Sequence, residues 1–156
     1  MNLKEDYEKL KKTYKLPNYE DLDKEFELLY VTKLEEIKFP LRFIRRRMND
    51  KIAWFCNMLQ NIIQPNPGSI IGLEESKFFS SEDREKMIKL LKELMYIERE
   101  SLILDVEYDE KKDVEYISNV FNKWGKIKKE ICNFSEILKK GWKEEIRKES
   151  KEQYFG

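Results

Sequence analysis

Large apolar residues recur every three or four positions along most of this chain, which is the spacing of one face of an α-helix. The predicted helices cover about 1–16, 18–39, 41–63, 82–106 and 113–140. The first is expected to be peripheral, because its apolar face is narrow. Glycines and prolines, which strand-rich folds need for their many turns, are few. The pattern predicts an all-α fold, an irregular antiparallel bundle of five to six helices in a single domain over 1–156.

Local capping signals indicate where the helices begin and end. The N-terminal signals are Asn2 with Glu5, Asn18 with Asp21, Pro40, and Ser80 with Asp83. In each capping pair, a side-chain oxygen can accept a hydrogen bond from a backbone N–H that the first helical turn leaves unpaired. Gly141 is expected to end or fray the last helix, and the tail over 148–156 is expected to be mobile.

Several residues of the predicted helices are assigned to the core from their spacing. Trp54 and Met58 widen the apolar face of the third helix, which is therefore expected at the centre of the bundle. Cys56 and Cys132 occur singly within helical stretches, so we expect them to be small buried apolar residues in a reducing compartment.

The stretch over 64–80 interrupts the helical pattern with prolines and glycines and predicts an irregular connector. It nevertheless contains large apolar residues, which either close the end of a bundle or dock another protein. The candidates for partner binding are Ile70, Ile71, Leu73 and Phe78. We expect Phe79 to be buried as a hydrophobic staple beside the Ser80 cap, and Ile70 or Ile71 to be exposed.

Four charged residues occupy predicted core positions. If Met87, Leu91 and Leu94 define the inward face of their helix, Glu98 and Asp105 lie in the middle of that face. Burying an unpaired charge is costly, so these carboxylates are expected to meet cations. The predicted buried polar cluster consists of Arg45, Glu98, Asp105 and Lys128. A functional carboxylate site is the alternative interpretation.

A run of arginines begins the third helix and suggests phosphate binding. Arg42 and Arg46 share the polar face and are the candidate phosphate ligands, whereas Arg45 and Arg47 lie on opposite margins of the apolar face. Because the run is spread around the helix, we favour solvated arginines and ion pairs with neighbouring helices over one phosphate-binding patch.

Composition removes several classes of function. The 156 residues include 31 basic and 31 acidic ones and no histidine, so the net charge is zero and the commonest acid–base group and metal ligand is missing. No phosphate-binding loop is present. We expect no catalytic residue, metal or cofactor. The chain also lacks a membrane-length apolar run and a signal-peptide pattern, which predicts a cytoplasmic protein without a membrane partner. Its richness in lysine, glutamate and isoleucine fits a thermophile or an AT-rich genome.

The sequence thus favours a non-catalytic helical adaptor or accessory protein that binds another protein or self-associates. An RNA- or DNA-binding accessory protein with a basic helix surface is the alternative, and a small enzyme using carboxylates is third. The missing histidine and phosphate loops favour binding over catalysis. The missing coherent basic face favours protein over nucleic acid.

Overall fold

A computed structural model describes residues 3–28 and 37–155, which form six α-helices and no strand. The helices are α1 (Leu3–Thr13), α2 (Tyr19–Phe26), α3 (Pro40–Ile63), α4 (Ile70–Lys77), α5 (Ser81–Val106) and α6 (Glu110–Phe155). The prediction of an all-α bundle of five to six helices is confirmed. The predicted cap residue Asn2 lies outside the described residues.

Three helices begin where the sequence predicts. The Asn18 side chain accepts the backbone N–H of Glu20 at 2.9 Å. Ser80 Oγ accepts the Asp83 N–H at 3.1 Å, and the Ser80 N–H donates to the Asp83 carboxylate at 3.4 Å, which completes a capping box. Pro40 is the first residue of α3, where the missing N–H loses no helical hydrogen bond. These local signals therefore decide the helix starts.

The second helix is shorter than predicted. It ends at Phe26, because Glu27 adopts a left-handed conformation with φ 54° and ψ 50° and its N–H bonds the Asp23 carbonyl. Glycine is the usual residue in this conformation, and its absence hid the helix end from the sequence pattern. Leu29, which we assigned to the same helix, lies outside the described residues.

The connector over 64–80 is not irregular throughout, because it contains α4. Ser69 caps this helix, with its Oγ accepting the Gly72 N–H at 3.1 Å. The prolines and glycines before and within α4 concealed a helix of only two turns.

The last helix continues through the glycine at which we expected it to end or fray. Gly141 is buried within α6, and the ring of Phe78 occupies the space that a Cβ atom would need. The glycine here permits close packing, so the predicted end is wrong. Residues 148–155 are helical as well.

Contacts between Cα atoms divide the chain into two compact units. Unit 1 comprises Met1–Phe55 and Glu93–Gly125, and unit 2 comprises Cys56–Lys92 and Lys126–Gly156. The helices α1 and α2 belong to unit 1 and α4 to unit 2, whereas α3, α5 and α6 contribute a segment to each. A single folding domain over the whole chain stays a prediction.

In unit 1, the segment of α5 is antiparallel to those of α3 and α6. Arg42 of α3 bonds Asp105 of α5, and Arg45, one turn later in α3, bonds Ser101, one turn earlier in α5. In contrast, Arg45 bonds Asp113 of α6, and Asn49, one turn later in α3, bonds Tyr116, which also comes later in α6. The helix α1 packs on α2, with the rings of Tyr7 and Tyr19 5.4 Å apart. The buried side chains include Tyr7, Leu22, Phe26, Ile44, Met48, Ile52, Leu94, Ile97, Ile117, Val120 and Trp124.

Unit 2 has its own apolar interior, formed by Cys56, Leu59, Ile62, Phe79, Met87, Leu90, Ile127, Ile131 and Phe134. Two residues that we assigned to the core lie at the surface instead. Trp54, in unit 1, is 63% exposed, and Cys132, in unit 2, is exposed, whereas Cys56 is buried as expected. Cys132 directly follows the buried Ile131, and Trp54 lies two residues after the buried Ile52. Because each residue of a helix is rotated by about 100° from the one before it, both side chains point away from the buried face.

Candidate functional site

The short helix α4 presents three aliphatic side chains to solvent. Ile70 is 81% exposed, Ile71 62% and Leu73 39%. We call these three residues the α4 surface. Burial of one such side chain is worth about 1.5–3 kcal/mol, so the exposure of three together on one short helix leaves a substantial apolar area in contact with water.

The α4 surface is held in place at the C-terminal end of the helix. The Phe78 ring packs edge-on against Trp142, with the centroids 5.4 Å apart. The Trp142 indole N–H donates to the Glu75 carboxylate at 3.0 Å, and Arg84 donates to the carbonyl of Ser76. Phe78, one of the partner-binding candidates, is thus half-buried in the base that anchors α4 to unit 2.

Phe79 and the isoleucines of α4 divide as predicted. Phe79 is buried, with its ring centroid 6.4 Å from that of Phe134, whereas Ile70 and Ile71 are exposed. The ring partner of Phe79 lies in α6, whereas we expected a staple against α5. The division itself is confirmed.

A fully buried arginine joins three helices of unit 1. The Arg45 Nε donates to Asp113 Oδ1 at 2.6 Å, and Nη2 donates to Asp105 Oδ1 at 2.6 Å. Its Nη1 donates to the hydroxyl and carbonyl oxygens of Ser101 at 2.6 and 2.9 Å. The side chains of Arg45 and Asp113 are both 0% exposed. The guanidinium is therefore neutralised inside the unit by residues of α5 and α6.

Asp105 also binds the two arginines that the sequence offers as phosphate ligands. Arg46 Nε donates to Asp105 Oδ1 at 2.9 Å. Arg42 donates to the Asp105 carbonyl at 2.8 Å and lies over the ring of Tyr108, 5.8 Å from its centroid. Both candidate phosphate ligands already have an anionic or polar partner in the same unit.

The pKa values of the two carboxylates of this cluster, Asp105 and Asp113, are shifted in opposite directions. Partial burial favours the neutral form of Asp105, but hydrogen bonds from Arg45 and Arg46 outweigh it and lower the pKa of Asp105 below its ordinary value. Deeper burial of Asp113 outweighs its hydrogen bond from Arg45 and raises its pKa. The cluster is an ion-pair network in which Arg45 and Asp113 are fully buried and Arg46 reaches solvent.

Two residues that we predicted for this cluster lie elsewhere. Glu98 is partly exposed, and its carboxylate is 3.8 Å from the guanidinium of Arg99. Lys128 is partly exposed and belongs to unit 2. The inward face of α5 is rotated from the one assumed, and it consists of Met87, Leu90, Leu94, Ile97, Ser101 and Leu104.

Sequence reasoning missed Asp113 and Ser101 as partners of Arg45. Asp113 lies at the start of the predicted last helix and precedes Tyr116, Ile117 and Val120 by three, four and seven residues. That spacing places the carboxylate on the buried face of α6. The signal was present, but the acidic residues around it pointed to solvent.

A second exposed apolar surface, also missed, lies on α5 and beside its end in unit 1. Leu102 is 54% exposed, Ile103 59% and Val106 79%. Beside them, the rings of Phe39 and Tyr108 pack 5.1 Å apart, and each residue is 41% exposed. We call these five residues the α5 outer surface. The consecutive Leu102, Ile103 and Leu104 were its signal, since three neighbouring residues of a helix cannot all face inward.

Comparisons with known proteins give no direct guide to function. No protein-family model, curated protein or solved structure matches the chain. In the described part of the chain, no three cysteine or acidic side chains are placed to hold a metal ion. None of the described helices is long and apolar enough to cross a membrane. The α4 surface, the α5 outer surface and the arginine cluster are therefore the features of the described residues from which a function can be inferred.

Proposed function

We propose that this chain is a non-catalytic protein-binding module that docks a partner on the α4 surface. The observation that supports the proposal is the exposure of Ile70 and Ile71 on a helix anchored through Phe78. A partner that buries side chains held on a fixed helix loses little conformational entropy in doing so. Rigid apolar residues of this kind are typical of binding hot spots.

The form of the α4 surface favours an apolar groove on the partner. Ile70 and Leu73 are three residues apart and share one helix face, with Ile71 beside it. Insertion of apolar helix residues into a groove of the partner is a common mode of protein recognition. The nearby Lys77 and Glu74 form an ion pair of 2.7 Å, so the polar side of α4 is locally neutral.

The nucleic-acid alternative has less support. Arg42 and Arg46 would have to exchange their bonds to Asp105 for bonds to phosphate, and the chain has no net positive charge to offset this cost. Retention on heparin that falls steeply as salt rises would favour this alternative over the protein-binding proposal.

The proposal is tested with the double variant Ile70→Asp/Ile71→Asp. Its control is Ile146→Asp, because Ile146 is also an exposed isoleucine of unit 2, at 65%. Both proteins are expected to unfold within about 1 kcal/mol of the unmodified chain, as surface variants do. Cross-linking in cells of the native organism should capture a partner with the control and lose it with the α4 variant. Capture that survives the α4 substitutions would contradict the proposal, as would a loss of several kcal/mol in their unfolding free energy.

A further inference from the structure

Leu102, Ile103 and Val106 of the α5 outer surface are exposed, and Phe39 and Tyr108 lie together beyond the end of the helix. Ser101 and Asp105 of α5 bond to α3, and Leu104 is buried, which fixes the inward side of the helix. Leu102 and Val106 are four residues apart on the opposite side. On this side, the unit 1 segment of α5 presents Leu102 and Val106 to solvent.

The surface is large enough to hold a weak dimer together. The exposed parts of Leu102, Ile103, Val106, Tyr108 and Phe39 amount to roughly 500 Å², at the upper end of the apolar patches on monomeric proteins. Two copies would bury about 1,000 Å² in total, near the lower limit of specific interfaces.

The charges at the two ends of this surface are complementary to each other. Arg99, with 59% of its side chain exposed, lies one turn before Leu102, and the exposed Glu107 follows Val106. If two α5 helices pack antiparallel about a point near Leu102 and Ile103, Arg99 of each copy lies opposite Glu107 of the other. A parallel pair would place like charges together. The zero net charge of the chain removes long-range repulsion between copies.

We propose that a second copy of this chain covers the α5 outer surface and forms a two-fold symmetric dimer with antiparallel α5 helices. The contact is isologous, so each residue of the surface meets the same surface of the other copy. The apolar side chains supply the affinity, and the Arg99–Glu107 pairs select the antiparallel orientation. This surface lies in unit 1 and is separate from the α4 surface, which belongs to unit 2.

The first test measures the oligomeric state by sedimentation over a concentration series of the full chain. The unmodified protein should pass from monomer to dimer in the micromolar range. Leu102→Glu/Val106→Glu should weaken dimerisation about 100-fold or more, because it would bury charge at the interface. The control Ile146→Glu and the α4 variant Ile70→Asp/Ile71→Asp should still dimerise. A chain that stays monomeric into the millimolar range, or a dimer unchanged by the α5 substitutions, would overturn the proposal.

The second test uses charge exchange to distinguish an antiparallel self-contact from other contacts. At low salt, Arg99→Glu alone and Glu107→Lys alone should each weaken dimerisation about tenfold, because two attractive pairs become repulsive. An equimolar mixture of the two variants should form mixed dimers with both pairs restored. Mixed dimers no stronger than those of either variant alone would show that Arg99 and Glu107 do not meet across the two-fold axis.

Discussion

At the scale of single residues, Arg45 explains why polar and acidic side chains of α5 and α6 lie inside unit 1. Its position at the margin of the apolar face led us to expect it in a buried polar cluster, and it is fully buried and donates four hydrogen bonds. A buried cation is tolerated only if its partners remain in place. The stability of unit 1 thus depends on Asp113, with which Arg45 shares complete burial.

Replacing Asp113 with Ala is expected to cost about 3–5 kcal/mol in the free energy of unfolding, because it removes the fully buried carboxylate that pairs with the buried charge of Arg45. Urea unfolding measures this change. Glu98→Ala is the control, since Glu98 is partly exposed beside Arg99 and should change stability by no more than about 0.5 kcal/mol.

A second variant separates the ion pair from the packing of its atoms. Arg45→Met combined with Asp113→Leu removes both charges and is expected to be far less destabilising than Asp113→Ala, as for other buried pairs replaced by apolar residues. Equal losses for Asp113→Ala and Glu98→Ala would show that the arginine has access to water.

At the scale of elements, the sequence predicted helix starts well and helix faces less well. Starts depend on residues close in the chain, such as Ser80 and Asp83, so their signals are local. Faces depend on neighbouring helices. Met87 and Leu94 fit two inward faces of α5, one through Leu91 and Glu98 and the other through Leu90 and Ile97. The structure uses the second face, which avoids burying a carboxylate.

The predicted buried cluster had the same limit. Arg45 and Asp105 are hydrogen-bonded as predicted. Lys128 was assigned to the inward face of α6, but, as in α5, the observed inward face is shifted by about one residue toward the N-terminus of the helix. The buried residues there are Ile127 and Phe134. Spacing alone gives a stripe about 100° wide or more, and a tertiary contact decides its centre.

Alanine substitutions at the two glycines of α6 are expected to have opposite effects on stability. Gly→Ala in a helix interior normally stabilises by about 0.5–1 kcal/mol. Gly125 has no atom within 4 Å of an added Cβ, so Gly125→Ala is expected to raise the melting temperature. At Gly141 the added Cβ would overlap the Phe78 ring, so Gly141→Ala is expected to destabilise by about 1–3 kcal/mol. Thermal unfolding measures both.

The Gly141 result also bears on the anchoring of α4. If Gly141→Ala displaces Phe78, the intrinsic fluorescence of Trp142 should change, because their rings are in contact. Stabilisation by both alanines would show that Phe78 moves away freely and that α4 is not anchored through it.

At the scale of the whole molecule, the α4 surface and the α5 outer surface differ in how well the sequence predicts them. The α4 surface could be predicted, because Ile70 and Ile71 stand out in a stretch rich in proline and glycine. The α5 outer surface had a weaker signal, because the consecutive Leu102, Ile103 and Leu104 cannot all face inward, but which of them faces solvent depends on the inward face of α5. The two surfaces lie in different units, so substitutions in one leave the other intact and binding of a partner can be separated from self-association.

The chain is expected to unfold cooperatively between about pH 10 and 12. Burial raises the pKa of Tyr7 and Tyr116 well above the ordinary value of 10 and raises that of Tyr19 to about 12. Stability from these groups is complete below pH 10 and is lost as the pH rises through their folded values, because only the unfolded chain ionises them readily. The part of the phenolate absorbance at 295 nm that comes from these three tyrosines should therefore appear only together with the loss of helical circular dichroism.

The variant Tyr19→Phe assigns part of this alkaline transition to one side chain. The Tyr19 hydroxyl is buried and has no hydrogen-bond partner among the described residues, so its removal should not lower stability at neutral pH. It removes one group that ionises only on unfolding, so the midpoint of alkaline unfolding should move to higher pH. Phenolate absorbance that is complete while the helical signal is intact, with an unchanged midpoint in the variant, would mean that Tyr7, Tyr19 and Tyr116 are open to water and that the interior of unit 1 is looser than its packing indicates.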